Sequence, residues 1–176
     1  MRGALTWLAP CLVVALSAIA PAQDAPPSIH AVAYTAVKRG EVEKTRLLGW
    51  DNQKRPFDES NIKGGLLIGF DLGLSLFFDK EVVTALRPVY RTSAGMSYGR
   101  EYGKFDMAVN EKRRRRDGIV RTVKLRAQPG YAVGGMRMRS GLGIDGLSLF
   151  YHKINGPALD PTPSFKSEWV GNTTGG

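Results

Sequence analysis

The chain has 176 residues, 43% of them hydrophobic and 23% charged, with 21 glycines, 10 prolines and one cysteine. That composition excludes wholesale disorder, and glycine without a three-residue period excludes a collagen-like rod. The net charge of +9 bears on partners and solubility rather than on fold.

Residues 1–22 read as a cleaved secretory signal. Arg2 gives the positive start, 5–19 is almost wholly apolar, and Ala20-Pro21-Ala22 supplies the small–x–small cleavage pattern. A bilayer-spanning helix needs about 20 apolar residues, and Gln23-Asp24 follows at once. The expectation is a secreted protein, periplasmic or extracellular, with no transmembrane segment in the mature chain. Cys11 leaves with the signal, so the exported domain has neither disulfide nor thiol chemistry, and loss of Arg2 takes the charge from +9 to +8. Without disulfides, a domain of this size is held together by core burial.

Residues 23–29 are Pro- and Ala-rich and read as a linker, followed by a domain over 30–155. Its apolar period is two, and no window of about twelve residues shows a convincing helical period. Ala31-Val32-Ala33-Tyr34-Thr35-Ala36-Val37 reads as a β-type run closed by Arg39-Gly40, and 46–50 as a weaker one. Strands are expected at 65–72, 82–91 (with Pro88 marking a bulge or an edge), 119–127, 131–138 and 146–154. Turn signals at Ser93-Ala94-Gly95, Asp117-Gly118 and Pro129-Gly130 fall at roughly the 8–12-residue spacing of sandwiches and barrels. The predicted fold class is all-β. Residues 156–176 form a turn-rich tail, with Phe165 and Trp169 expected to pack back on the domain. Asn172-Thr173-Thr174 has the form of an N-glycosylation acceptor, without meaning in a bacterial protein.

The chain also resembles itself. Gly64-Gly65-Leu66-Leu67-Ile68-Gly69-Phe70, followed by Val83 through Tyr90, parallels Gly130-Tyr131-Ala132-Val133-Gly134-Gly135-Met136, followed by Ile144 through Tyr151. Each copy is a glycine, an apolar strand broken by an internal glycine, a loop, and a second strand ending in Tyr. Self-similarity of this kind suggests repeated β units that pack their apolar faces together.

Arg139-Ser140-Gly141-Leu142-Gly143-Ile144-Asp145-Gly146-Leu147-Ser148-Leu149 resembles the last loop and strand of the jacalin-related lectins, with their Gly-x-x-x-Asp signature. The segment from Val83 to Thr92, then Tyr98-Gly99-Arg100-Glu101-Tyr102-Gly103, is similar to another stretch of that family. The resemblance covers residues 64–154 at most, and 30–63 lacks the family's opening glycine pair and aromatic-Asp segment. It implies a β-prism of Greek-key sheets around a pseudo-threefold axis, into which the internal repeat fits. It also implies carbohydrate binding at the 141–145 loop, with Asp145 accepting from sugar hydroxyls while backbone amides of Leu142, Gly143 and Ile144 donate. From the residues alone, Gly141 and Gly143 let the backbone turn, and Asp145 adds an acceptor-only carboxylate. The same Asp could instead cap its own turn. The matching loop of the first copy is expected at 73–79, with Phe77 and Phe78 read as core.

Lys112, Arg113, Arg114, Arg115 and Arg116 are five consecutive cations and cannot alternate into a core. They form either a solvated loop or a contact for anionic surfaces and polyanions, which is the alternative function of the same module. No aromatic interleaves with them, so specific nucleic-acid binding is not expected. Enzyme signatures are thin. His30 and His152 are the only histidines, no metal-ligand cluster or cofactor motif occurs, and Ser148 and His152 lie too far apart on one strand for a nucleophile–base bond. Asp145 with Glu101 or Asp106 could imitate a glycosidase pair, but nothing fixes their separation. The reading is a carbohydrate-binding module, not an enzyme, with no catalytic or metal residues and no cofactor.

Overall fold

A computed structural model describes residues 26–41, 43, 64–105, 118–141 and 143–173. Among them are one helix, α1 (Ile29–Arg39), and nine strands: β1 (Leu66–Phe77), β2 (Lys80–Thr92), β3 (Gly95–Tyr98), β4 (Arg121–Arg126), β5 (Tyr131–Ser140), β6 (Ile144–Asn155), β7 (Ala158–Leu159), β8 (Phe165–Lys166) and β9 (Val170–Gly171). All pairings are antiparallel, so the chain is predominantly β, as the period of two predicts. The expected strands at 65–72, 82–91, 119–127, 131–138 and 146–154 coincide with β1, β2, β4, β5 and β6.

The run at 31–37 is a correction, because it is helical rather than a strand. Its alternation of small and larger residues mimics a strand, but three alanines favour the helix and both ends are capped. Ser28 Oγ accepts from the Ala31 amide at 3.3 Å. Gly40 takes the left-handed conformation, and the Gly40 and Glu41 amides donate to Val37 and Ala36, closing a Schellman motif. Lys38 and Arg39 in the last turn complement the helix dipole. No residue of α1 is buried. His30 Nδ1 lies 3.0 Å from the Gly64 carbonyl oxygen, tying the helix to the start of the sheet. The weaker run at 46–50 lies outside the described residues.

The main strands follow the order β4-β1-β2-β6-β5. β1–β2 and β5–β6 are long hairpins, joined edge to edge by the single pair Val83↔Ile144. Ile68, Leu72 and Leu74 from one hairpin and Leu147, Leu149 and Tyr151 from the other belong to one buried cluster, with Leu125 of β4 and Val170 of β9. The tail contributes to it: β7, β8 and β9 all pair with β6, and the Phe165 ring sits 5.0 Å from that of Tyr131 and 4.9 Å from that of Tyr151. β1 is buried on both faces from Ile68 to Ser75. Phe70, Leu72 and Leu74 point into the core, while Phe105 and Ile119 approach Gly73 on the opposite face.

The two hairpins share a register down to their irregularities. In β1–β2 the ladder slips between Leu67↔Tyr90 and Gly69↔Val89, and again between Gly73↔Ala85 and Leu74↔Val83. In β5–β6 it slips between Val133↔Tyr151 and Gly135↔Phe150, and again between Arg139↔Gly146 and Ser140↔Ile144. Superimposing Gly64 on Gly130, as the sequence repeat does, superimposes both bulges. Bulges tilt and twist a strand at fixed places, so sharing both makes the repeat one of backbone geometry as well as of composition.

Candidate functional site

The second bulge of each hairpin sets a polar side chain beside the turn. In the first hairpin it skips Thr84 and in the second Asp145, which makes these two residues equivalent. By the same register Ser75 corresponds to Gly141. The loop matching 141–145 is therefore not 73–79. Residues 73–77 are strand, and the first hairpin turns at Phe78-Asp79. Phe77 and Phe78 are 51% and 69% exposed, with rings edge-to-face at 4.8 Å, so they are not core. They fall at the strand end and turn, where the burial that runs through Ser75 has ceased and alternation no longer decides it.

The equivalent positions differ in one chemical respect. In the first hairpin Ser75 Oγ and Thr84 Oγ1 hydrogen-bond at 2.7 Å, one hydroxyl donating to the other. In the second, Gly141 has no side chain, and a Cβ built on it would stand 3.4 Å from Asp145 Oδ2. The half-buried Asp145 carboxylate accepts no hydrogen bond and makes no ion pair with any described residue. It does not cap the Gly141 amide, which donates to the Gly143 carbonyl at 3.0 Å. The Asp145 carbonyl accepts from the Asn172 amide at 2.8 Å and so fixes the bulge against β9. A carboxylate thus sits over a glycine at the place where the sister hairpin has a hydroxyl.

The next residue faces the other way. Gly146 lies beneath the Trp169 indole, whose Nε1 donates to the Asn172 carbonyl at 3.0 Å. The Arg139 guanidinium stands 6.0 Å from the Trp169 ring centroid and donates to the Thr173 carbonyl. These contacts pin the tail across the turn end of the second hairpin, beside the Arg139↔Gly146 pair, and hold the 141–145 turn on a fixed strand end. Gly141, Gly143 and Asp145 lie together at this turn, while Leu142 lies outside the described residues. So do Lys112, Arg113, Arg114, Arg115 and Arg116. The described chain leaves at Phe105 and resumes at Gly118.

Sequence reasoning missed a polar cluster on the outer face of β1. Asp71, its side chain 3% exposed, accepts at Oδ2 from Arg87 (Nε at 3.2 Å, Nη2 at 2.7 Å) and at Oδ1 from Arg126. Burial by itself raises the Asp71 pKa, but the hydrogen bonds from Arg87 and Arg126 and their charges outweigh it and hold the carboxyl below its ordinary value. Arg87 stacks at 4.8 Å over Tyr98, with Phe105 at 5.8 Å. Part of the signal was present in the sequence: a single Asp inside an apolar strand that folds back on a strand carrying two arginines, of which only the register picks out Arg87.

His152 Nδ1 lies 2.7 Å from the Asp160 carbonyl oxygen, and Ser148 is buried. Among the described residues no three His, Cys, Asp or Glu side chains gather as a metal site would need. No described helix is long and apolar enough to cross a membrane. Comparison with protein-family models, with curated proteins and with solved structures finds no match.

Proposed function

We propose that this chain is an exported, non-catalytic carbohydrate-binding module of the jacalin-like kind, binding sugar hydroxyls at Asp145 and the 141–143 backbone. The observation that carries this reading is the contrast between the two hairpins. The first closes its bulge with a hydroxyl–hydroxyl pair, Ser75 with Thr84. The second replaces the serine with Gly141 and the threonine with Asp145, leaving an acceptor opposite the place of a missing hydroxyl. A sugar hydroxyl entering over Gly141 is the group that Ser75 supplies internally. A carboxylate accepts from two such hydroxyls at once, and charge-assisted bonds are the stronger ones. On this reading the two bulged hairpins are two of the repeated units of a prism, and residues 1–22 export the chain.

Two substitutions test it on a neutral-glycan array followed by calorimetric titration of the best ligand. Asp145→Ala removes the acceptor. Gly141→Ser installs the hydroxyl of the first hairpin and fills the site from within. Both should abolish neutral-sugar binding while leaving thermal unfolding within a few degrees, since Gly141 is exposed and the half-buried Asp145 carboxylate holds no described hydrogen bond or ion pair that its loss would break. Binding at one carboxylate should also persist in high salt. Undiminished sugar binding by Gly141→Ser, or unfolding of Asp145→Ala, refutes the proposal.

A further inference from the structure

The ladder places three cations on the outer face of the first sheet. Directly opposed residues in antiparallel strands share a face. Lys124↔Asp71↔Arg87 form one row across β4, β1 and β2, and Arg126 lies two residues along β4 from Lys124. Asp71 is the only acid in that row, and it is saturated: one oxygen takes Arg87 and the other takes Arg126. Lys124 is exposed and has no ion pair among the described residues. Within the row one sealed negative charge stands against three cations; the nearest further acid, Glu101, acts on Arg87 and is turned to the Phe105 amide, which leaves Lys124 without a described counter-ion. Like charges so placed repel one another and cost stability.

The arginines are also held in position. Arg126 donates to the Phe70 and Leu125 carbonyls, both at 2.8 Å, and Arg87 is stacked on Tyr98. Their side chains remain 24% and 38% exposed. Asp71 thus acts as an internal brace that holds two partly exposed guanidiniums in place, and an oxyanion such as a carboxylate or sulfate accepts charge-assisted bonds from their remaining N–H groups. Tyr98, 52% exposed, borders the patch and offers ring surface beside it. The cations form a compact group rather than a track, which suits one or two oxyanions better than a run of phosphates. Two of the three are tied down, unlike the flexible basic residues that settle on a lipid surface.

We propose that Lys124, Arg87 and Arg126 form a second binding surface, distinct from the Asp145 turn, for the sulfate or carboxylate groups of an acidic polysaccharide, with Tyr98 against a sugar ring. The surface does not depend on the neutral-sugar reading of the Asp145 turn.

The test uses the full chain in a background with Arg113, Arg114, Arg115 and Arg116 changed to Ser, so that the basic run does not mask the result. The probes are a heparin oligosaccharide, an oligogalacturonate, neutral dextran, anionic phospholipid vesicles and a single-stranded oligonucleotide. Lys124→Glu should weaken the better of the two acidic glycans about tenfold. Lys124→Arg should restore binding, and Tyr98→Ser should weaken it while sparing the melting temperature. Arg137→Glu, at the position of the second hairpin equivalent to Asp71, should change nothing. Comparing the sulfated with the uronate oligosaccharide identifies the anion. Equal loss from Arg137→Glu reduces the effect to bulk charge and overturns the proposal, as does unchanged binding by Lys124→Glu. Tighter Lys124-dependent binding to vesicles or oligonucleotide overturns it too. Because Asp145→Ala alters only neutral-sugar binding, the two proposals fail separately.

Discussion

Replacing Asp71 with Asn keeps the shape of the side chain and removes its charge. Two guanidiniums then lose their counter-ion at a place where water reaches them only partly. Breaking a fully buried ion pair costs about 3–5 kcal/mol. Here Arg87 and Arg126 are 38% and 24% exposed, so solvent recovers part of that, and a loss of about 2–3 kcal/mol is expected. For a chain of this size that lowers the melting temperature by roughly 4–12 °C. The effect also has a pH signature. The carboxyl is held below its ordinary value in the fold, so it binds protons more weakly folded than unfolded. Its contribution is complete above the unfolded pKa of about 3.9 and disappears as pH falls through the lower folded value. Melting curves by circular dichroism should therefore show a constant gap between the native protein and Asp71→Asn from pH 5 to 8, closing below about pH 4. Adding Arg87→Met to Asp71→Asn should recover part of the loss by removing one unpaired cation. A gap under about 1 kcal/mol at neutral pH, or one that persists undiminished at pH 2.5, would refute the assignment of Asp71 as an ionised brace.

Other substitutions probe the backbone. Gly134→Ala places a methyl against the His152 ring, which is anchored through Nδ1 to Asp160, and should cost about 1–3 kcal/mol in chemical denaturation; Gly143→Ala meets nothing and should be neutral, and equal effects would mean that the ring moves aside. Phe78 occupies the left-handed region at φ 56°, at a cost of about 1–2 kcal/mol for a bulky residue, against about 0.5 kcal/mol for its exposed contact with Phe77. Phe78→Gly should accordingly raise the melting temperature by a degree or two, and a fall would show that the aromatic pair outweighs the strain. Ser28→Ala removes the N-cap of a helix that has no fully buried residue, a loss of about 1 kcal/mol. It should reduce the helical signal at 222 nm without moving the main transition, whereas a shift of that transition would tie α1 to the core.

The strands were legible because burial imposes a period of two that local composition can show. Where burial stops deciding, the reading fails. At 31–37 no side chain is buried, so capping by Ser28 and Gly40 wins over apparent alternation. At Phe77 and Phe78 the residue types suggest core, but both rings are exposed at the hairpin tip. The Asp71 cluster escaped because an ion pair across two strands requires their register, and bulges make register unreadable by counting outward from a turn.

The same limit governs the candidate site. The sequence repeat is strong enough to align the glycines at 64 and 130, yet the loops between the paired strands differ in length, so matching them by eye pairs 73–79 with 141–145. Only the ladder shows that the residue opposite Asp145 in the repeat is Thr84 and that the counterpart of Gly141 is Ser75. That correction changes the chemistry. A loop with a carboxylate at its end is a common and unspecific pattern. Two copies of one bulged hairpin, one closed by a hydroxyl pair and the other left with a carboxylate over a glycine, differ at the point where a ligand's hydroxyl would fit. The closed copy shows that the backbone does not need the vacancy. An acceptor left open at one of two otherwise matching bulges is therefore a property of side-chain choice rather than of the backbone, which is why the proposed sugar site is placed on Asp145 and Gly141 rather than on the turn as such.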